Sequence, residues 1–392
     1  MQILILNCGS SSAKFAVMDP ASGVELIAGL AQRLGSPQAS LDWKWQGQKH
    51  TRALPGADHQ PALRAVVALL HEVGLAAGIN GVGHRVLHGG ARFSDPALVT
   101  PAVIAGIEAC IPLGPLHNPP NLLGIRIAQE LFPGLPQVAV FDTAFHATMP
   151  PCAYLYAVPM EWAEQHQARR YGFHGTSHRF VAADALTRLG LTDQPSGIIT
   201  VHLGNGCSCA AVRDGRSVDT TMGLTPLEGV VMGTRSGSVD PALIGYMAKR
   251  LELPADKIID LLNKQSGLQG LSGLSNDMRT LIEHAGQGHA RARLAIEVFC
   301  YVLAKTIAGL VVPLGRLDAV VFTGGIGENS VPVRAKVVEL LGFLGLSLDV
   351  NLNAGHGRTA GGRITTGSGS CALVVPTNEE LMIARDTAAL VA

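Results

Sequence analysis

Residues 7 to 14, NCGSSSAK, put an amide, a glycine, three hydroxyls and one mobile cation within eight positions. Backbone amides freed by glycine, hydroxyls and a flexible ammonium are the groups that cradle a phosphate beside magnesium. The G-x-x-x-x-G-K-[ST] spacing is absent and no helix pattern follows, so the segment reads as strand, turn, strand. An ordinary Ser/Gly hairpin turn accounts for the same residues. A second such turn holds His202, Leu203, Gly204, Asn205 and Gly206, where missing side chains let backbone approach a phosphate. The third candidate, residues 318 to 330 (DAVVFTGGIGENS), reads as a buried strand, a glycine-rich turn and a helix, which would set a nucleotide at a helix N-terminus. Its G-G-x-G is not the dinucleotide fingerprint.

Arginine and histidine cluster around glycine at residues 83 to 90 (GHRVLHGG), 172 to 178 (GFHGTSH) and 233 to 237 (GTRSG). Loops of this kind present cationic donors to a spreading phosphoryl charge. The pairs His84/His88 and His174/His178 are each spaced four apart, which admits a metal. Neither has the glutamate of H-E-x-x-H, and Thr176 reads as a helix cap that leaves His174 outside the helix. Each of these histidines is read equally well as a hydrogen-bonded structural residue. Asp142 follows the apolar run VAVF, at the strand end where α/β sheets place reactive groups, although a turn or capping aspartate would sit there too. In PTNEE, Thr377 and Glu380 form the T-x-x-E capping box and leave Glu379 free for another task.

The elements that must carry these residues repeat. From Ile3 and again from Ile198 the chain runs apolar strand, Gly/Ser/Asn turn, strand, turn, strand, so one β-unit occurs twice. Helical patterns with start signals follow, at Asp240-Pro241 before ALIGYMAKRL and at Asn118-Pro119-Pro120 before NLLGIRIAQELF. Strand triplets followed by helices imply mixed α/β domains, and 392 residues suit two. The prolines after Met149 mark a boundary, and the last helix, from about Asn378, could return to either half. Residues 36 to 60, with Trp43 and Trp45 alternating, read as a hairpin excursion.

Thirty basic and thirty acidic side chains give zero net charge, without the basic stripe of a nucleic-acid or anionic-membrane partner. The N-terminus lacks a basic signal-peptide region, which fits a cytoplasmic protein. The most membrane-like run, Leu294 to Leu314, carries Glu297 and Lys305 and reads as a buried helix. Seven cysteines without a C-x-x-C pair read as reduced core residues, Cys207 and Cys209 sharing one strand face.

With these segments collected, the chain resembles the acetate kinases, the acetokinase family within the superfamily of acetate and sugar kinases, heat-shock ATPases and actin. NCGSSSAK, GHRVLHGG, PLHNPPN, VFDTAFH, RRYGFHGTSH, HLGNGCS, DTTMGLTPLEGVVMGTRSGSVDP, SNDMR, FTGGIGENS and PTNEE occur in the family's order from residue 7 to residue 380. The resemblance implies two duplicated ribonuclease H-like, actin-like ATPase domains of α/β type with an active-site cleft, and a homodimer. Residues 1–149 with a helix at about 378–392 would form the acid and dimer side, and residues 150–377 the nucleotide side. Reversible transfer of the ATP γ-phosphoryl group to acetate is the implied activity, giving acetyl phosphate and ADP with magnesium, or manganese in its place.

Carried over residue by residue, Asn7 and Glu379 match the metal site, and Ser10, Ser12 and Lys14 the first phosphate hairpin. Arg85 and Arg235 match the clamps on the transferred group, and His174 a transition-state donor. His117 and His202 line the cleft. Asp142 matches the essential aspartate, expected to organise magnesium or its waters because a carboxylate nucleophile needs no base. For ATP the matching segments are His202 to Gly206, then Asp277, Met278 and Arg279, then Gly325, Ile326, Gly327, Glu328 and Asn329. Leu87, Leu116, Phe173 and Pro226 would wall the acyl pocket, with leucine at 87 where many relatives have valine. A propionate or butyrate kinase would share these motifs. A sugar kinase would need polar readers and a base, and a non-enzymatic ATPase switch would not need two converging arginines.

Overall fold

The computed structural model describes all 392 residues as two compact units, residues 1–145 with 378–392, and residues 146–377. The chain leaves the first unit a few residues before the prolines that suggested the boundary. His146 is the reason: it is fully buried in the second unit, its ring nitrogens 2.8 Å from Ser217 Oγ and 3.0 Å from Phe173 O.

The first unit is built on eight strands: β1 (Gln2–Cys8), β2 (Ser12–Met18), β3 (Glu25–Gln32), β4 (Ser40–Trp45), β5 (Gln48–Ala53), β6 (Ile79–Val86), β7 (Ala97–Leu98) and β8 (Gln137–Phe141). They lie in the order β5-β4-β3-β2-β1-β6-β8-β7. The second unit has five: β9 (Gly197–Leu203), β10 (Cys207–Arg213), β11 (Arg216–Thr220), β12 (Ala319–Thr323) and β13 (Cys371–Val374), ordered β11-β10-β9-β12-β13. Without β4, β5 and β7 the two sheets have one topology. In each, three strands form an antiparallel meander and two more run parallel to the first. The duplicated unit read from the sequence is therefore a duplicated pairing pattern.

Parallel neighbours need crossovers, supplied in the first unit by the helices His59–Glu72 and Asn118–Leu131. The tryptophan segment is a hairpin that lengthens the first sheet, and Gln46 and Gly47, both at positive φ, make the two-residue turn that matches strand twist.

Alternation sets the core. Leu4, Leu6 and Cys8 of β1 face Leu63, Val66 and Leu70 of the helix His59–Glu72. The last helix, Glu379–Val391, returns to the first unit over β1, β6 and β8. Its close approach requires glycine on β6: a Cβ on Gly83 would meet Thr387 Oγ1 at 2.4 Å and Ile383 Cγ2 at 2.7 Å. Ala290–Leu314 is long and apolar enough to cross a membrane, yet in the fold it packs on β9, β10 and β11 with Phe299, Leu303 and Ile307 buried. All seven cysteines are free. Cys207 and Cys209 are buried on β10, whereas Cys152 is exposed rather than in the core.

Candidate active site

Three adjacent parallel strands of the first unit, β1, β6 and β8, carry Asn7, Arg85 and Asp142 at or just past their C-terminal ends. Asp142 is completely buried, and both of its oxygens accept from one guanidinium: Arg85 Nε donates to Oδ1 at 3.0 Å and Nη2 to Oδ2 at 2.5 Å. The third guanidinium nitrogen, Nη1, donates to Asn7 Oδ1 at 3.4 Å. Burial works against the Arg85 charge, but the carboxylates of Asp142, Glu379 and Glu380 together hold its pKa above the ordinary value. Asp142 thus acts first as the fixture of Arg85, an arrangement the sequence reading, which gave it to magnesium, did not foresee.

Glu379 opens the last helix. Burial raises its pKa, with Asp142 and Glu380 adding to the rise and Arg85 and Lys14 opposing it. The capping box expected from T-x-x-E does not form. Asn378 is the cap, its Oδ1 accepting from Leu381 N at 2.9 Å, while Thr377 Oγ1 lies 2.8 Å from Ser177 Oγ and Glu380 pairs with Lys14. Asparagine and threonine both cap well, and the register was decided by the start of the helix one residue later.

The NCGSSSAK turn is tight, with Gly9 N donating to Ser12 O at 2.8 Å, and His59 Nε2 donates to Gly9 O at 2.7 Å from the first crossover helix. Ser10 is exposed, and Ser12 opens β2. Leu87 is buried, Leu116 is 58% exposed, and His117 immediately precedes the helix Asn118–Leu131.

In the second unit a cavity of about 760 Å³ is lined by Gly204, Asn205, Asp277, Met278, Arg279, Gly325, Ile326 and Asn329. Asn276, Ile282, Glu283, Ser330 and Pro332 complete the lining; Asn276 and Ser330 lie in the segments SNDMR and FTGGIGENS, and the other three were not anticipated. His202, Leu203, Gly206, Gly327 and Glu328 do not line it. Residues 324–329 are not a turn but a short helix, Gly324–Asn329. Glu328 Oε1 accepts there from Gly324 N at 3.0 Å and Thr377 N at 3.3 Å, so its carboxylate serves the backbone.

Arg235 Nη1 donates to Pro226 O at 2.6 Å. A Cβ on Gly206 would lie 3.0 Å from Arg235 Nη2 and 3.4 Å from His174 Nε2, so both side chains converge on one bare stretch of backbone. His174, at φ 57°, precedes the helix Gly175–Leu189, and Thr176 lies inside that helix rather than capping it. Ser208 Oγ stands 2.8 Å from both His174 Nδ1 and His178 Nε2, and His178 Nδ1 is 2.7 Å from Thr200 Oγ1. Burial first, then the charges of His146 and His202, push His178 well below the usual histidine range. His202 Nδ1 meets Ser177 Oγ at 2.8 Å, and the His174 and His202 rings lie 4.4 Å apart. Phe173 is buried. The four-residue histidine spacings make no metal pair: His84 Nε2 donates to Gln137 Oε1 and His88 Nδ1 accepts from Gly90 N.

The model of the acetokinase family matches residues 2–385. The chain belongs to the acetokinase family. It is 55% identical over 391 residues to the acetate kinase of Deinococcus radiodurans, covering 100% of this chain and 98% of that one. An acetate kinase of Chromobacterium violaceum is 53% identical over 99% of this chain and 98% of its own. Among solved structures, a propionate kinase from Francisella tularensis superposes with TM-score 0.95 at 44% identity, covering 99% of both chains. Porphyromonas gingivalis acetate kinase gives 0.93 at 40%, covering 100% of both.

Two supports of this acetokinase escaped the sequence reading. Asn118 and Asn121 of PLHNPPN hold the loop after β6: Leu87 N donates to Asn121 Oδ1 at 3.0 Å, Asn121 Nδ2 to Cys8 O at 2.7 Å, and Asn118 brackets both backbone groups of His88. Buried Arg334 donates to Gly327 O at 2.8 Å, Glu328 O at 2.9 Å and Asn353 Oδ1 at 2.9 Å, and desolvation takes its pKa down to about 10. A lone arginine between Val333 and Val337, on the buried face of VPVRAKVVEL, was the available signal.

Proposed function

We propose that this acetokinase transfers the γ-phosphoryl group of ATP reversibly to acetate, forming acetyl phosphate and ADP. The observation that carries the reading is the 55% identity to an acetate kinase over the full chain. A carboxylic acid with a pKa of roughly 4 to 5, by analogy with glutamate, is already ionised at neutral pH and is itself the nucleophile. The enzyme therefore needs alignment and charge rather than a base.

Arg85, fixed by Asp142 and Asn7, keeps N–H groups for the phosphoryl oxygens, and Arg235 and His174 are assigned as further donors to them. Asp142 acts through Arg85 and takes no proton. The nucleotide lies in the cavity lined by Asn205, Arg279 and Ile326, a volume within the usual range for ligand pockets. Asn7 and Glu379 offer the hard oxygens that magnesium prefers. Asp142 is held by Arg85 and Glu380 by Lys14, so Glu379 is the carboxylate of this cluster left to meet a divalent ion. When bound, magnesium or manganese neutralises phosphate charge. Leu87, Leu116, Phe173 and Pro226 limit the acid to a small one, and Ser10, Ser12, His117 and His202 are assigned to the lining of the site.

The protein works in the cytoplasm as a homodimer; the exposed apolar residues Leu294, Tyr301 and Val312 of the helix Ala290–Leu314 offer it a face on the second unit, not on the first, where the family resemblance had set the dimer side. Hydroxamate formation from ATP, magnesium and hydroxylamine with acetate, propionate and butyrate tests the activity. Acetate should give the highest kcat/KM. Preference for propionate would make the enzyme a propionate kinase, and acid-independent ATP hydrolysis would make it a switch.

A further inference from the structure

The two arginines proposed to meet the phosphoryl group are held in different ways. Arg85 has a carboxylate on two of its nitrogens, whereas Arg235 has no carboxylate and leans on one backbone carbonyl, that of Pro226. A guanidinium anchored to a carbonyl is placed only as well as the carbonyl is. Pro226 lies in the stretch between β11 and residue 241, which forms neither helix nor strand, so side chains must fix it.

Those side chains are present. Tyr156 Oη accepts from Leu224 N at 2.9 Å and donates to Glu228 Oε2 at 2.5 Å, tying the residues two before and two after Pro226 to one hydroxyl. The other oxygen, Glu228 Oε1, accepts from Arg170 Nη2 at 2.6 Å. Arg170 Nη1 in turn donates to the carbonyls of Thr220, Thr221 and Met222, the residues that lead into the stretch. The carboxylate lies on bare backbone, since a Cβ on Gly223 would come within 1.8 Å of Glu228 Oε2. Gly229 and Ser238 close the stretch behind it, Ser238 N donating to Gly229 O at 2.9 Å.

We infer that Glu228 is a positioning residue for Arg235, acting with Tyr156 and Arg170 to fix the Pro226 carbonyl and through it the direction of the guanidinium. This rests on the reading of Arg235 as a ligand of the transferred group. Misplacing such a donor by about 1 Å can cost on the order of 10²-fold in rate. Glu228→Ala should therefore lower kcat by about that factor and leave the KM for ATP near normal, because the nucleotide cavity does not include this stretch.

A double-mutant cycle separates positioning from general damage. Arg235→Ala, Glu228→Ala and the double variant are assayed for acyl phosphate formation, with circular dichroism to show that each folds. Tyr156→Phe, which removes a single hydroxyl, is carried through the same cycle in case Glu228→Ala does not fold. If Glu228 acts through Arg235, its removal from the Arg235→Ala protein lowers kcat less than threefold further. Full additivity with a slow Arg235→Ala enzyme overturns the positioning role. Normal turnover in Arg235→Ala itself overturns the underlying reading of that arginine, and the two failures are told apart by that single variant.

Discussion

At the scale of single residues, the two arginines that look alike in sequence differ in what their loss should expose. Removing either takes a donor from a developing oxyanion, which typically costs about 10²- to 10³-fold in kcat. Arg85→Ala also strands Asp142, whose fully buried carboxylate then has no cation, and breaking a buried pair costs about 3 to 5 kcal/mol. Arg235 leaves behind only a backbone carbonyl. Arg85→Ala should thus lose both turnover and stability, and Arg235→Ala turnover alone, as read by kinetics beside urea denaturation. Equal stability of the two variants would mean that Asp142 does not depend on Arg85. The adjacent glutamates divide in a similar way. Glu380 pairs with a half-exposed Lys14, an interaction worth at most about 1 kcal/mol. Glu379, more deeply set among charges, is the one whose replacement by glutamine should raise the magnesium requirement.

At the scale of elements, Gly83 shows how backbone spacing serves the site. It looks like one more glycine of a phosphate-type loop, but its bare Cα is what lets the last helix lie on β6 with Glu379 near Arg85. Gly83→Ala should cost about 1 to 3 kcal/mol from overpacking and raise the magnesium needed for half-maximal rate, because the helix must lift. An unchanged melting temperature and metal titration would show that Thr387 and Ile383 rotate away. Turns and strands were legible because Gly, Asn and Ser mark them in short apolar sequence. Caps were less legible. Thr377 and Asn378 are both good caps, as is Thr176 near His174, and only the fold decides which residue takes the non-helical conformation. The glycine-rich segment 324–329 reads as a turn by composition, yet Glu328 accepting from Gly324 N and buried Arg334 holding the carbonyls of Gly327 and Glu328 make it a helix. Both supports lie within seven residues of the carbonyls and amide they hold, but a charge on an apolar helix face marks only that it must be satisfied and does not name its partners.

At the scale of the whole molecule, the repeat visible from Ile3 and Ile198 marked the three-stranded meander of each sheet, because strand length and turn spacing record it directly, whereas the two parallel strands added to each meander carry no such mark. What sequence could not show is how many histidines each unit buries. Among them, His84 in the first unit, with Nε2–H on Gln137, and His146 in the second are pushed down to about 4, chiefly by burial. The unfolded chain titrates near 6.5, so between that pH and about 4 it binds protons that the folded protein does not. Stability is then complete above pH ~6.5 and falls as the pH drops, by about 2 kcal/mol for each such histidine between pH 7.5 and 5. Glu379, with its raised pKa, works in the opposite sense, so the total slope alone does not isolate the effect. Comparing slopes does. His84→Gln keeps an amide able to bond Gln137 but cannot take up a proton, so its loss of stability from pH 7.5 to 5 in urea denaturation should be about 2 kcal/mol smaller than that of the unaltered protein. Identical losses in the two proteins would mean that His84 is already protonated in the fold, or is reached by solvent before unfolding.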